Sequence, residues 1–158
     1  MTELRTSARH SAMLDALREG GDGFRAHWAA ALGGLVIRDW RWGRIEADWA
    51  VNTEFDIGDG TIFGGLTAAM ADSFLGLTAM TVCAEEDDRF RTSHLRTDFF
   101  KPIVGPTVRL DGRVVNKSRQ LIHVEADFLI NGRCAVRAAA TQVRRKAQAQ
   151  AQEAGAVA

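Results

Sequence analysis

Through the second half of the chain, hydrophobic positions fall at every second residue. Val108, Leu110, Gly112 and Val114 alternate with Thr107, Arg109, Asp111 and Arg113, and Ile122, Val124, Ala126 and Phe128 alternate with His123, Glu125 and Asp127. A period of two collects the apolar set on one face of an extended chain, so 107–116 and 121–130 read as half-buried strands. Residues 91–100 read as another, with Leu95, Thr97 and Phe99 opposed to His94, Arg96, Asp98 and Phe100, ending at Lys101-Pro102. Asn131-Gly132 is the strongest hairpin signal, and it leads into a last strand with Val136, Ala138 and Ala140 inward. Upstream, Ile45, Ala47, Trp49 and Val51 alternate with Arg44, Glu46, Asp48 and Ala50, and with the run before Gly43 they make a hairpin.

Two stretches have helical periodicity instead. Residues 11–17 place Met13, Leu14 and Leu17 on one face, and a second short piece over 24–32 spaces Phe24, Trp28 and Ala31 to meet a surface. The segment 64–82 is different in kind: Asp72 is its one ionisable residue. It has no wet face, so it reads as a helix wrapped by protein on nearly every side, its Gly65, Ala68, Ala69, Ala71, Gly76 and Ala79 allowing close approach. A membrane span would leave Asp72 uncompensated near its middle and is rejected. The order is then short helices, hairpin, long helix, four antiparallel strands. This is an α+β architecture in which one helix covers the apolar face of a five- or six-stranded sheet. The helix has a second side to cover, and a second copy of the chain covers it most simply.

The expected organisation is a helical cover over 1–32, a main domain over 33–143 and a flexible tail over 144–158, where RRKAQAQAQEAGAVA carries no partner pattern. Twenty basic against twenty acidic residues give no field to draw nucleic acid or an anionic membrane from a distance. Cys83 and Cys134 have neither redox-pair nor metal-cluster spacing and read as small buried hydrophobes. No metal-ligand spacing is present. The polar N-terminus lacks the apolar stretch of a secretory signal, which makes a cytoplasmic protein the expectation.

Candidate chemistry gathers at the helix. Phe63-Gly64-Gly65 ends a loop and opens it, so amides there lack intrahelical acceptors, lie at the favourable end of the helix dipole and are unshielded by side chains. Such amides suit a carbonyl oxygen becoming an oxyanion. Asp72 has no basic residue within a helical turn, so its carboxylate is expected to face a pocket, with local hydroxyls such as Ser73 or Thr67 as the alternative partners. Eight residues separate Gly64 from Asp72, about 12 Å of helix rise, too far for both to touch one carbon. Two antiparallel copies would bring Asp72 of one near Gly64 of the other. Thr92 is a hydroxyl able to orient a water or the carboxylate. His94 and His123 lie on the polar parity of their strands, and His10 and His27 sit in the N-terminal cover without forming a cluster.

GTIFGGLTAAMADSFLG, followed by TSHLRTDFFKPI, resembles the hotdog-fold acyl-CoA thioesterases, in particular the phenylacetic-acid-pathway and 4-hydroxybenzoyl-CoA thioesterase group, over about residues 33–143. The resemblance implies a hotdog fold, a sheet wrapped around one long central helix, and hydrolysis of an acyl-CoA by a dimer or a dimer of dimers. CoA enters as part of the substrate, with no separate cofactor. Gly64 matches the glycine whose amide polarises the thioester carbonyl. Asp72 matches the carboxylate that acts as nucleophile or base from the partner subunit, and Thr92 the hydroxyl position near it. Where the family pattern carries histidine and asparagine this chain has Phe63 and Ile57, which with Gly65 imply a more apolar acyl pocket. Arg89, Arg91, Lys101, Lys117 and Arg119 are candidate contacts for the phosphates of CoA. The alternative is a non-catalytic hotdog protein that binds acyl-CoA or lipid.

Overall fold

In a computed structural model of the chain, residues 5–20 and 31–146 are described. The elements are α1 (Ala8–Arg18), β1 (Gly33–Arg41), β2 (Arg44–Val51), a 3-10 turn (Thr53–Phe55), α2 (Gly64–Met80), β3 (Asp88–Phe99), β4 (Thr107–Lys117), β5 (Leu121–Ile130) and β6 (Arg133–Lys146). The six strands form one antiparallel sheet in the order β1-β2-β4-β5-β6-β3, with α2 lying across one face. This is the helix-covered α+β sheet that the alternation implies, in the hotdog arrangement that the resemblance implies.

The inward parity holds strand by strand. Ile45, Ala47 and Trp49 on β2, Val108 and Leu110 on β4, and Ile122, Val124, Ala126 and Phe128 on β5 are fully buried against Phe74, Leu75 and Leu77 of α2. The Trp49 and Phe128 rings meet edge to face at 6.2 Å, and the Trp49 indole N–H donates to the Leu32 carbonyl at 2.7 Å. Gly112 takes an inward position where a side chain would run into Phe74 and Thr78, which lets the helix sit close on β4. The turn between β5 and β6 has positive φ at both Asn131 (51°) and Gly132 (73°), as a two-residue hairpin requires. The opposite face of the sheet is charged and wet. Arg113 pairs there with Glu125 and Asp127, Arg137 with Asp127, and Arg109 with Glu46.

Several boundaries and exposures differ from the sequence reading. Within one chain the helix is covered on its sheet side alone: Gly65, Ala69 and Asp72 are exposed and Ala68, Ser73 and Gly76 half-buried, so a stripe of small residues lies open. Of the small residues only Ala71 and Ala79 face the sheet, because alanine and glycine do not by themselves say which side a neighbour covers. Residues 144–146 are strand, not tail. The Arg144 guanidinium donates to Asp88 at 2.6 Å, with the Asp88 side chain fully buried, and this ion pair fastens the end of β6 to the start of β3. Cys83 is buried as expected, whereas Cys134 is half-buried beside Asp127. The expected helix over 24–32 lies outside the described residues except for its last two, as do His27 and the chain after 146.

The C-terminal end of α2 is tied down by three hydrogen bonds, two from the segment before α1 and one from β4. The Thr6 hydroxyl donates to Thr81 O at 2.6 Å, the Ser7 amide to Cys83 O at 2.8 Å and the Lys117 ammonium to Val82 O at 2.6 Å, so carbonyls at and just past the helix end find donors.

Candidate active site

Asp72 and Thr92 come together. The Thr92 hydroxyl donates to Asp72 Oδ1 at 2.6 Å, the length of a charge-assisted O–H···O bond. Neither local alternative partner is used: Ser73 donates back to the Ala69 carbonyl at 3.0 Å, and the Thr67 hydroxyl is buried without a partner among the described residues. Asp72 therefore sits on the open stripe of α2, reachable from outside the chain, and not in the interior that its apolar neighbours suggest.

Strand alternation alone would not put Thr92 there. Leu95, Thr97 and Phe99 pair with Ala140, Ala138 and Val136 on the helix face, and counting back by twos reaches Ser93. A bulge between Thr92 and His94 takes up Ser93, whose hydroxyl turns to Thr141 O at 3.1 Å, and Thr92 becomes the partner of Gln142. One extra residue thus reverses the parity of β3 and aims Thr92 at the helix. Gln142 is 1% exposed, and its amide N–H donates to the Thr92 oxygen at 3.0 Å. The sequence reading missed Gln142, although its position carries a signal: it continues the inward series Val136, Ala138, Ala140 as the one member able to form a hydrogen bond.

At the other end of the stripe, Phe63 caps α2 without a side-chain hydrogen bond. The amides of Gly64 and Gly65 donate to no acceptor among the described residues, the first helical bonds running from Leu66 and Thr67 to Phe63 O. The loop before them is held by Phe63 N–H to Phe55 O and Ile62 N–H to Ile103 O, both 2.9 Å, and by Asp56, which accepts from the Gly58 and Gly60 amides at 2.6 and 3.0 Å. The Phe63 ring lies over Gly65, and the Phe99 ring approaches Gly64. Phe63, Ile57, Phe99 and Phe100 are all about half exposed or more, leaving apolar surface around the bare amides.

The five candidate phosphate contacts do not converge. Lys101 follows the end of β3 that lies beside Gly64, whereas Arg89 and Arg91 start that strand and bond Asp88 O and Phe90 O at 2.9 Å. Lys117 caps the far end of α2 and stacks at 4.8 Å over the Trp42 ring, and burial pulls its ammonium below the usual lysine range. Arg119 is exposed in the β4–β5 turn. His123 makes a cross-strand contact with Thr141 at 3.1 Å, and His94 is exposed on β3. Among the described residues no three of His, Cys, Asp and Glu are grouped as metal ligands, and no helix is long and apolar enough to cross a membrane.

The family model described as the thioesterase superfamily matches residues 59–133, from the loop before α2 through the β5–β6 turn. Among solved structures, a phenylacetic acid degradation-related protein of Ralstonia eutropha JMP134 is similar at 23% identity and TM-score 0.73, covering 85% of this chain and 98% of that one. A thioesterase family protein from Silicibacter pomeroyi aligns at 20% identity and TM-score 0.71 over 85% of this chain and 99% of its own. A hypothetical thioesterase protein of Streptococcus pneumoniae TIGR4, crystallised with coenzyme A, aligns at 17% identity and TM-score 0.64 over 73% of this chain and 88% of its own. At these identities the likeness is one of fold. No curated protein matches the chain.

Proposed function

We propose that the chain, whose residues 59–133 match the thioesterase superfamily model, hydrolyses an acyl-CoA thioester bearing an apolar or aromatic acyl group to the free acid and CoA. The observation that carries the reading is the Thr92 to Asp72 hydrogen bond on the open stripe of α2. It fixes one carboxylate oxygen and leaves the other for chemistry. Asp72 either takes a proton from the attacking water or attacks the carbonyl carbon itself, forming a mixed anhydride that water then cleaves. In both routes the carbon–sulfur bond breaks, CoA leaves as thiolate and gains a proton, and the carbonyl oxygen carries negative charge in between. The Gly64 amide, with no acceptor among the described residues, is the donor for that charge.

The two groups lie about 12 Å apart along one helix, from the rise per residue. The working site therefore combines Asp72 and Thr92 of one copy with Gly64 of a second, in a dimer or a dimer of dimers whose contact covers the open stripe. Ile57, Phe63 and Gly65 border the acyl group, and the exposed Phe63 and Ile57 side chains favour an apolar one. Arg89, Arg91, Lys101 and Arg119 stay the candidate contacts for CoA phosphates, although one chain does not gather them, and Lys117 is set aside because its ammonium is already engaged.

The test is a panel of acyl-CoA substrates read by release of free thiol, with size-exclusion light scattering for the assembly. Turnover by a dimer or tetramer is expected. A second reading, acyl-CoA or lipid binding without hydrolysis, is favoured by the Phe63 ring lying across Gly65. Calorimetric binding with no thiol released over hours would select it.

A further inference from the structure

We propose that Gln142 is a positioning residue for hydrolysis, acting on Asp72 only through Thr92. The inference rests on the reading of Asp72 given above and extends it to a side chain that does not itself reach the stripe. Gln142 and Thr92 are directly opposed across β3 and β6. The Thr92 hydroxyl has one proton and two acceptors in range, Asp72 Oδ1 at 2.6 Å and Gln142 Oε1 at 3.2 Å, while Gln142 Nε2 stands 3.0 Å from the Thr92 oxygen. The shorter contact, to a carboxylate, wins the proton. The Gln142 amide then donates to the Thr92 oxygen and holds the hydroxyl rotor aimed at Asp72. Buried at 1% exposure, Gln142 is fixed by its packing and cannot swing away.

The same three groups also serve Asp72 after its free oxygen, Oδ2, has taken a proton. Oδ1 is then the carbonyl oxygen of the acid and still accepts from the Thr92 hydroxyl, whose rotor the Gln142 amide continues to hold. Asp72 thus keeps one fixed partner through both protonation states, as a base that gains and returns a proton in each cycle requires. No charge moves beyond Asp72, and only hydrogen bonds link the three groups.

Gln142→Met keeps the length of the side chain and removes both hydrogen-bonding atoms. In the full-length protein, kcat is expected to fall about tenfold, the worth of one hydrogen bond, with KM within about twofold. In a Thr92→Ala background the same change is expected to have no further effect on kcat, because the path to Asp72 is already cut. Gln142→Asn, which withdraws the amide by one methylene, repeats both results should the methionine variant fold poorly. An unchanged kcat in a folded variant, or losses that multiply in the double variant, overturns the proposal. The carboxylate carbon resonance of Asp72 in labelled protein gives a readout independent of turnover. It is expected to move on Gln142→Met and to stay still when Thr92 is already alanine. A wild-type protein that releases no thiol yet shows this pattern refutes the hydrolase reading and leaves the coupling standing, whereas turnover without the pattern does the reverse.

Discussion

Thr92 reaches Asp72 at 2.6 Å from a strand position that regular alternation would turn to the other face of the sheet. The carboxylate is consequently held by a residue of a neighbouring element and not by the helix that carries it, and it stays open to solvent. Under the proposed hydrolysis, removing it is expected to touch chemistry far more than folding. Asp72→Ala is expected to lower thiol release by about a hundredfold or more, while stability changes by no more than about 0.5 kcal/mol, as for an exposed side chain. A thiol assay and a thermal melt on the same preparation check both halves.

Gly112 tests the seat of the helix. A Cβ there would lie 2.9 Å from Ile45 Cγ2 and 3.0 Å from Phe74 Cε1, and closer still to the Thr78 hydroxyl. Gly112→Ala is expected to cost about 1–3 kcal/mol and to lower Tm by about 2–4 °C for each kcal/mol. Gly34→Ala, whose Cβ meets Ala50 at an ordinary 3.6 Å, serves as the control and is expected to melt close to wild type.

Arg144 and Asp88 form an ion pair whose acid is fully buried and whose base is 15% exposed. Arg144→Leu strands the Asp88 charge in the interior, and a loss of about 3–5 kcal/mol in urea unfolding is expected. Adding Asp88→Asn removes the stranded charge and is expected to restore part of that loss. A double variant no more stable than Arg144→Leu would mean that the pair contributes through packing alone.

His10 gives the fold a pH dependence. It is buried, with Ser7 Oγ 2.6 Å from Nδ1, and burial first, then the Arg9 charge, hold its imidazole below the ordinary value of 6.5 against the pull of Asp88. Well above pH 6.5 both folded and unfolded chains carry it neutral, and its contribution to stability is complete. As pH falls below that value the unfolded chain binds the proton first, so stability declines until the folded value is passed. Melting temperatures across this range are expected to fall with pH in the wild type and to fall less steeply in His10→Gln. Parallel curves for the two would remove His10 as the cause.

The regular strands were legible because their alternation is strict: the inward residues of β2, β4 and β5 fall where a period of two places them. What alternation cannot register is an inserted residue. Nothing in TSHL says whether Thr92 or Ser93 faces the helix, because the bulge is set by pairing with β6, fifty residues away for Thr92 and Gln142. Which side of α2 its own sheet covers was not legible for a related reason. Its residues are apolar and small whether a sheet, a second chain or nothing covers them, so the pattern reports a capacity for contact and not which face is in contact. Arg144 was read as tail because its partner, Asp88, lies at the head of a strand remote in sequence, and charge in an Ala/Gln-rich run gives no hint of burial.

The bulge also bears on how this protein tolerates inheritance of length changes. On β6 the partners of Thr92 and His94 are the adjacent residues Gln142 and Thr141, so Ser93 is surplus to the ladder. A lineage that lost Ser93 would keep Thr92 opposite Gln142 and every downstream pair in register, while gaining a residue between Leu95 and Phe99 would shift Thr92 off its mark. A one-residue loss at Ser93 therefore preserves the Thr92–Gln142 pairing, whereas a one-residue gain a few positions later displaces it.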